Sequence, residues 1–250
     1  MMEIEQKQFV FSNEEKKLTF IISPKAMSST GLAIFFDFIG LEYNKDKHTH
    51  STRMFDYKNY TSHQKDYTVV QVTRNPFTRI VSCYLFMIKQ GISDLSRRVY
   101  SQKWGFKFFL NQILSKGPNN LDQHTYIQYK NIIPDFLIRV ESVKEDIEYI
   151  KNNSNLDFKL VEDRFSPKNM KGNDDIIDPK FLGGDYNEEL FDIITNKKNV
   201  NKIYKNYNQF YDEENKNIVE ELYKDDIFYF KYQYPFDEIY ANGEKVNYQN

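Results

Sequence analysis

Three times along this chain a short run rich in branched and aromatic residues leads, through a tight connection, into a stretch of helical periodicity. Residues 18–23 (LTFIIS) pass through PKAMSST to Leu32, Phe35, Phe36 and Ile39, spaced i, i+3, i+4 and i+7 before Gly40. Residues 67–73 (YTVVQVT) pass through Arg74 and Asn75 to Pro76, a residue suited to the first helical position. A stripe of Phe77, Ile80, Val81, Tyr84, Leu85 and Ile88 follows, ending before Gly91. Residues 136–140 (FLIRV) lead to Ser142 and Glu145 in capping-box spacing, then to a helix carrying Val143, Ile147 and Ile150. Wholly apolar strands need cover on both faces, and strands separated by helices pair in parallel. The pattern predicts an α/β fold of three layers: a central, mainly parallel sheet flanked by helices, with ligands at the C-terminal strand ends.

Elsewhere the pattern is less regular. Residues 104–114 (WGFKFFLNQIL) predict another helix, broken at Gly117-Pro118-Asn119-Asn120. Val200, Ile203, Tyr204 and Tyr207 mark a further one, and Ile218, Val219, Leu222 and Tyr223 the last, with Asp212 as its cap. Residues 44–64 are polar and carry three of the four histidines, which fits an irregular excursion. Residues 152–185, with Pro167, Pro179 and Gly183-Gly184, fit a surface lid or a plain loop. There is no internal repeat, and residues 1–250 are expected to form a single domain.

A net charge of −2 provides no general basic field, so nucleic acid is not an expected partner and any anion site must be local. Cys83 is the sole cysteine, which excludes an intramolecular disulfide and a cysteine zinc cluster and fits a reducing compartment. The opening residues hold no apolar run of signal-peptide length, and no later stretch reaches a membrane span. A soluble, cytoplasmic protein is expected. Phe and Tyr are abundant, which fits an AT-rich coding sequence and core packing as well as a sugar-stacking cleft.

The first connection, Ser23-Pro24-Lys25-Ala26-Met27-Ser28-Ser29-Thr30, places a lysine, three hydroxyls and a helix start after a buried strand. Helix N-termini offer unpaired N–H groups and a positive dipole end to phosphate or sulfate. Lys25 adds a point charge, and Ser28, Ser29 and Thr30 add directed donors. Taken alone, the segment fits a hydroxyl-capped helix beside a solvated lysine equally well. The glycine-rich GK[ST] pattern of Mg-ATP sites is absent.

The second connection continues as Arg74-Asn75-Pro76-Phe77-Thr78-Arg79-Ile80-Val81-Ser82-Cys83-Tyr84. Arg74 closes the strand, while Arg79 and Ser82 lie three apart on one helix face, off the apolar stripe. Arginine beside a hydroxyl suits a phosphate monoester, and it also suits a surface ion-pair cluster.

Together the two segments resemble the cytosolic and Golgi sulfotransferases, most of all the carbohydrate sulfotransferases. The 5′-phosphosulfate loop of that family reads roughly PK-x-G-[ST]-T-S, against Pro24-Lys25-Ala26-Met27-Ser28-Ser29-Thr30 here. Its 3′-phosphate segment reads R-x-P-x-x-R-x-x-S-x-Y, and Arg74, Pro76, Arg79, Ser82 and Tyr84 meet every fixed position. Weaker echoes run from residue 122 (DQHTYIQ), through Arg139, Glu141 and Asp146, to residues 223–230 (YKDDIFYF). Met27 departs from the family's glycine, and a membrane anchor like that of Golgi members is not expected.

The resemblance implies a P-loop-like architecture and in-line transfer of a sulfuryl group from 3′-phosphoadenosine 5′-phosphosulfate (PAPS) to a hydroxyl, with adenosine 3′,5′-bisphosphate as product and no metal. The acceptor implied is a glycan. Pro24, Lys25, Ala26, Met27, Ser28, Ser29 and Thr30 would hold the 5′-phosphosulfate, with Lys25 serving the chemistry. Arg74 and Ser82 would hold the 3′-phosphate, with Arg79 joining them or bracing Arg74. A histidine is the natural general base. His48 and His50 form a His-x-His element like that of heparan-type enzymes, His124 is the next candidate and His63 the weakest. His48 and His50 also fit a solvated loop pair, and as a zinc pair they lack an evident third ligand. Glu141 fits a structural acid at a strand end. Two rivals remain open, a nucleotide-dependent kinase and a non-catalytic glycan-binding protein on the same fold.

Overall fold

The computed structural model describes residues 9–42, 66–90, 98–99, 102, 104–122, 124–129, 133–160 and 207–232. In chain order the elements are β1 (Phe9–Asn13), β2 (Leu18–Ile22), α1 (Ser28–Phe38), β3 (Thr68–Thr73), α2 (Pro76–Gln90), α3 (Phe106–Lys116), β4 (Phe136–Arg139), α4 (Val143–Asn153), α5 (Glu213–Leu222) and α6 (Lys224–Phe230). The chain divides into two compact units, one of residues 1–74 and 128–166, the other of residues 75–127 and 167–250.

The first unit holds the sheet, in the order β1-β2-β3-β4. β2 pairs with β3 and β3 with β4 in parallel, while β1 lies antiparallel to β2. The α/β expectation of a mainly parallel sheet with helices thus holds. Leu18, Phe20 and Ile22, with Val70, Val72 and Ile138, alternate onto one face and meet Leu32 and Phe35 of α1 and Val143, Ile147 and Ile150 of α4. Gly31 lets α1 come close to the sheet, because a Cβ there would stand 3.2 Å from Ile22 Cδ1 and 3.4 Å from Val72 Cγ2. The parallel register aligns Ile22 with Val72 and Thr73 with Arg139, so the connections after β2 and β3 leave the same edge of the sheet.

Two features of this unit depart from the pattern read in the sequence. β1 is an added antiparallel edge, joined to β2 by a turn in which Asn13 Oδ1 accepts from Lys16 N and Lys17 takes a positive φ. The capping box at α4 does not form. Ser142 Oγ donates instead to Asp146 Oδ2 (3.0 Å), and Glu145 is exposed. Asp146 draws the hydroxyl in because its carboxylate is already a hub: Oδ2 accepts from Arg139 N (2.7 Å) and Nε (3.1 Å), and Oδ1 from Arg139 Nη2 (2.7 Å).

The second unit is helical. Asn75 caps α2, its Oδ1 accepting from Phe77 N (3.0 Å), and Pro76 occupies the first helical position. The α2 stripe of Phe77, Ile80, Val81, Tyr84, Leu85 and Ile88 packs with Phe109, Leu110 and Ile113 of α3 and Ile218, Val219 and Leu222 of α5. α3 begins two residues later than expected and ends at Gly117, whose φ of 81 suits a glycine. Asp212 caps α5, accepting from Asn215 N at 2.7 Å. Of the helix expected around residues 200–207, only Tyr207 lies among the described residues, in a 3-10 turn of Tyr207–Phe210. Residues 44–64 and 161–185 lie outside them. Among the described residues no helix is long and apolar enough to cross a membrane.

Candidate functional site

The connection after β2 is a tight turn followed directly by α1. Ala26 N donates to Ser23 O (3.1 Å), with Pro24 second in the turn and Lys25 third at a φ of 64. Proline second and positive φ third are the requirements of a type II turn. Met27 takes left-handed geometry as well, with φ 41 and ψ 47, and α1 starts immediately after it. Neither residue is glycine, so each conformation costs about 1 kcal/mol, a strain found at ligand-holding loops. Met27 supplies no side-chain cap to the first turn of α1. Its side chain packs against the core of the first unit beside α1, so the residue replacing the family's glycine is directed into the core. Pro24, Ala26 and Thr30 are buried, whereas Lys25, Ser28 and Ser29 are half-buried. Ser23 Oγ is fully buried and has no hydrogen-bond partner among the described residues.

Arg74 follows β3 and is joined to this turn. Its Nη1 donates to Lys25 O at 3.3 Å. The Arg74 backbone is held by a side chain, with Gln128 Oε1 accepting from Arg74 N (2.9 Å) and Gln128 Nε2 donating to Arg74 O (2.7 Å). The lysine loop and the first arginine of the second motif therefore meet within one unit, at the C-terminal ends of two parallel strands.

In the second unit the rest of that motif has a different setting. Arg79 is completely buried, its Nη2 3.6 Å from Asp226 Oδ2 and its guanidinium 5.0 Å from the Tyr223 ring centroid. Its Nη1 donates to His124 O (3.1 Å), while Nε and Nη2 have no hydrogen-bond partner among the described residues. Ser82 is buried on α2, and Tyr84 donates to Trp104 O (2.8 Å) from inside the aromatic core. His124 Nδ1 lies 2.6 Å from Asp122 Oδ1, which also accepts from His124 N (2.9 Å). A carboxylate only accepts, so in the neutral ring the proton sits on Nδ1 and the lone pair on Nε2. His48, His50 and His63 lie outside the described residues. Glu141 is half-buried in the 3-10 turn between β4 and α4.

The sequence profile of the sulfotransferase family matches residues 7–233. The chain belongs to the sulfotransferase family. No curated protein and no solved structure matches it significantly. The family match spans both units and both motifs, and it makes sulfuryl transfer the activity to be explained.

Three groups of this sulfotransferase-family chain escaped the sequence patterns. Gln128 and Asp122 sit in a polar stretch without periodicity, and Asp226 lies far along the chain from the arginine it pairs with. Gln128 and Asp122 fall within the echo at residues 122–128 and Asp226 within that at residues 223–230, but neither echo gave them a role.

Two tyrosines set an alkaline limit on the fold. Burial pushes the Tyr84 and Tyr223 hydroxyls well above their ordinary value of 10.0, with Arg79 partly opposing this at Tyr223. Above pH 10 the unfolded chain sheds these protons while the folded chain keeps them, so stability is full below pH 10 and declines as pH rises. Urea unfolding between pH 9 and 11 should show that decline, at up to about 1.4 kcal/mol per pH unit for each tyrosine. Tyr84→Phe, although less stable at neutral pH, should flatten the slope. An unchanged slope would mean that Tyr84 ionises normally.

Proposed function

We propose that the chain transfers the sulfuryl group of PAPS to a hydroxyl of a carbohydrate, by direct in-line displacement. The observation that carries this is the joining of Arg74 to the Lys25 turn, because it pairs a 3′-phosphate arginine with a 5′-phosphosulfate loop. The residues fit such a donor: uncapped N–H groups at the start of α1, a Ser23 hydroxyl without a partner among the described residues, and a Met27 side chain turned into the core. When bound, PAPS supplies an activated sulfuryl group whose sulfur is open to attack by an acceptor oxygen. Lys25, with Ser28, Ser29 and Thr30, stabilises the charge that grows on the departing phosphate oxygen. Arg74 holds the 3′-phosphate, and the sequence motif assigns Ser82 to the same phosphate. Arg79, already committed to Asp226, Tyr223 and His124, serves as a brace.

For the acceptor proton we assign His124, whose ring is paired with Asp122. Asp122 holds Nδ1, so Nε2 accepts the hydroxyl proton as the new S–O bond forms. His48 and His50 stay candidates from the sequence pattern. The carbohydrate acceptor rests on the likeness of both motifs to carbohydrate enzymes. We further propose one catalytic domain across residues 1–250, acting in a reducing, cytoplasmic setting compatible with the single, buried Cys83.

The test is calorimetry on Arg74→Ala. Affinity for adenosine 3′,5′-bisphosphate should fall about 10- to 100-fold, as for loss of a charged hydrogen bond, and affinity for adenosine 5′-phosphate should barely change. Equal losses for the two ligands would overturn the assignment. Transfer of labelled sulfate to a glycan panel, but not to tyrosine peptides, would support the acceptor class.

A further inference from the structure

We propose that Gln128 is a positioning residue of the donor site, one whose side-chain amide sets the 3′-phosphate arginine in place. The inference rests on the donor assignment above and extends it to a residue in neither anion motif.

β3 stops pairing with β4 at Thr73, opposite Arg139. The next peptide groups, those flanking Arg74, would lose their ladder at the point where the chain must present a charged side chain. Gln128 replaces the missing rung. Its Oε1 accepts from Arg74 N and its Nε2 donates to Arg74 O, at 2.9 and 2.7 Å, as a neighbouring strand's peptide would. The backbone that carries this amide is itself held. Gln71, buried on β3, donates from Nε2 to Gln128 O at 2.9 Å, and Gln128 is fully buried. A buried carboxamide with both ends engaged cannot rotate without leaving polar groups unpaired.

The consequence passes outward through Arg74. With its backbone clamped on both sides, the guanidinium has a fixed origin and reaches Lys25 O with Nη1. Gln128 therefore governs where the Arg74 fork sits, and through it the carbonyl of a turn that carries two positive-φ residues. Gln128 touches no reacting atom. Its contribution is to 3′-phosphate recognition, and so to discrimination between PAPS and nucleotides that lack this phosphate.

The test compares adenosine 3′,5′-bisphosphate with adenosine 5′-phosphate, which differ only in the 3′-phosphate, on the full chain carrying Gln128→Met or Gln128→Glu. Gln128→Met removes both hydrogen bonds at similar volume, and its bisphosphate affinity should fall about tenfold, the adenosine 5′-phosphate affinity staying within about twofold. Gln128→Glu keeps the acceptor for Arg74 N and loses the donor to Arg74 O, so it should shift the same ratio by less. It also serves if the methionine variant does not fold. A merely structural amide would lower the melting temperature and weaken both ligands alike. Equal losses, or an unchanged ratio in the folded variants, would overturn the role of Gln128 while native bisphosphate binding stands. Failure of the native chain to bind the bisphosphate would overturn the donor assignment itself, and this inference with it.

Discussion

Lys25→Ala should lower turnover by about 10²- to 10³-fold and leave adenosine 3′,5′-bisphosphate binding within about tenfold of the native chain. The asymmetry follows from where charge appears. In the proposed displacement the bridging oxygen of the phosphosulfate would gain negative charge as the S–O bond lengthens, so a cation placed there would help the transition state more than the ground state. The donors at the start of α1 remain for binding. Alanine is the informative replacement because Lys25 sits at a φ of 64. Alanine and lysine share a Cβ and meet a similar left-handed cost, whereas glycine would also relax the turn. The hydrogen bond from Arg74 ends on the Lys25 carbonyl, which the substitution keeps. Steady-state turnover at saturating donor, with calorimetry on the same samples, separates chemistry from binding. Turnover within about threefold of native would remove Lys25 from the chemical step.

The parts of the fold that were legible in the sequence are those whose signal is local. β2, β3 and β4 are short apolar runs, and α1, α2 and α4 carry stripes that repeat within a few residues. Pro76 announced the start of α2 because its fixed φ acts at the first helical position. β1 was not legible, since its place depends on antiparallel pairing with β2, and neither was α6, only seven residues long. Ser142 shows a local rule losing to a stronger partner, for the hydroxyl joined the Asp146–Arg139 cluster in place of the backbone.

The site divides in the same way. Lysine, hydroxyls and arginine at the ends of two strands are residue types in sequence order, and sequence displays them. Which arginine is open to the proposed donor and which is packed as a brace depends on partners distant in the chain. Arg74 and Arg79 look alike in the motif, yet Arg74 is half-buried and bonded to the lysine turn, whereas Arg79 is sealed against Asp226 and Tyr223. Met27 is similar: its glycine-like conformation is a property of the backbone, and only its packing shows that its side chain turns to the core.

Arg79 supports the largest expected effect on stability. Asp226→Ala should cost about 3–5 kcal/mol, the usual penalty for breaking a buried pair and leaving one charge unpaired. Both side chains are fully buried, so water cannot take over the lost contact at Arg79. Among the described residues its remaining partners are the Tyr223 ring and one carbonyl, that of His124, and the guanidinium already has two nitrogens without a hydrogen bond there. A domain is stable by about 5–15 kcal/mol in all, so the variant should melt at a clearly lower temperature. The combined change Arg79→Met with Asp226→Leu removes both charges and should recover most of the loss, because the single-variant penalty lies mainly in the stranded cation. Urea melts of the native chain, of Asp226→Ala, Asp226→Leu and Arg79→Met, and of the double decide this. A loss under about 1 kcal/mol for Asp226→Ala would show the pair to be energetically idle. If the double variant regains stability yet turns over more slowly, the cause is traceable. A thioether in place of the Arg79 guanidinium cannot donate to the His124 carbonyl, so the backbone carrying the proposed base would lose its brace while the core around it stayed intact.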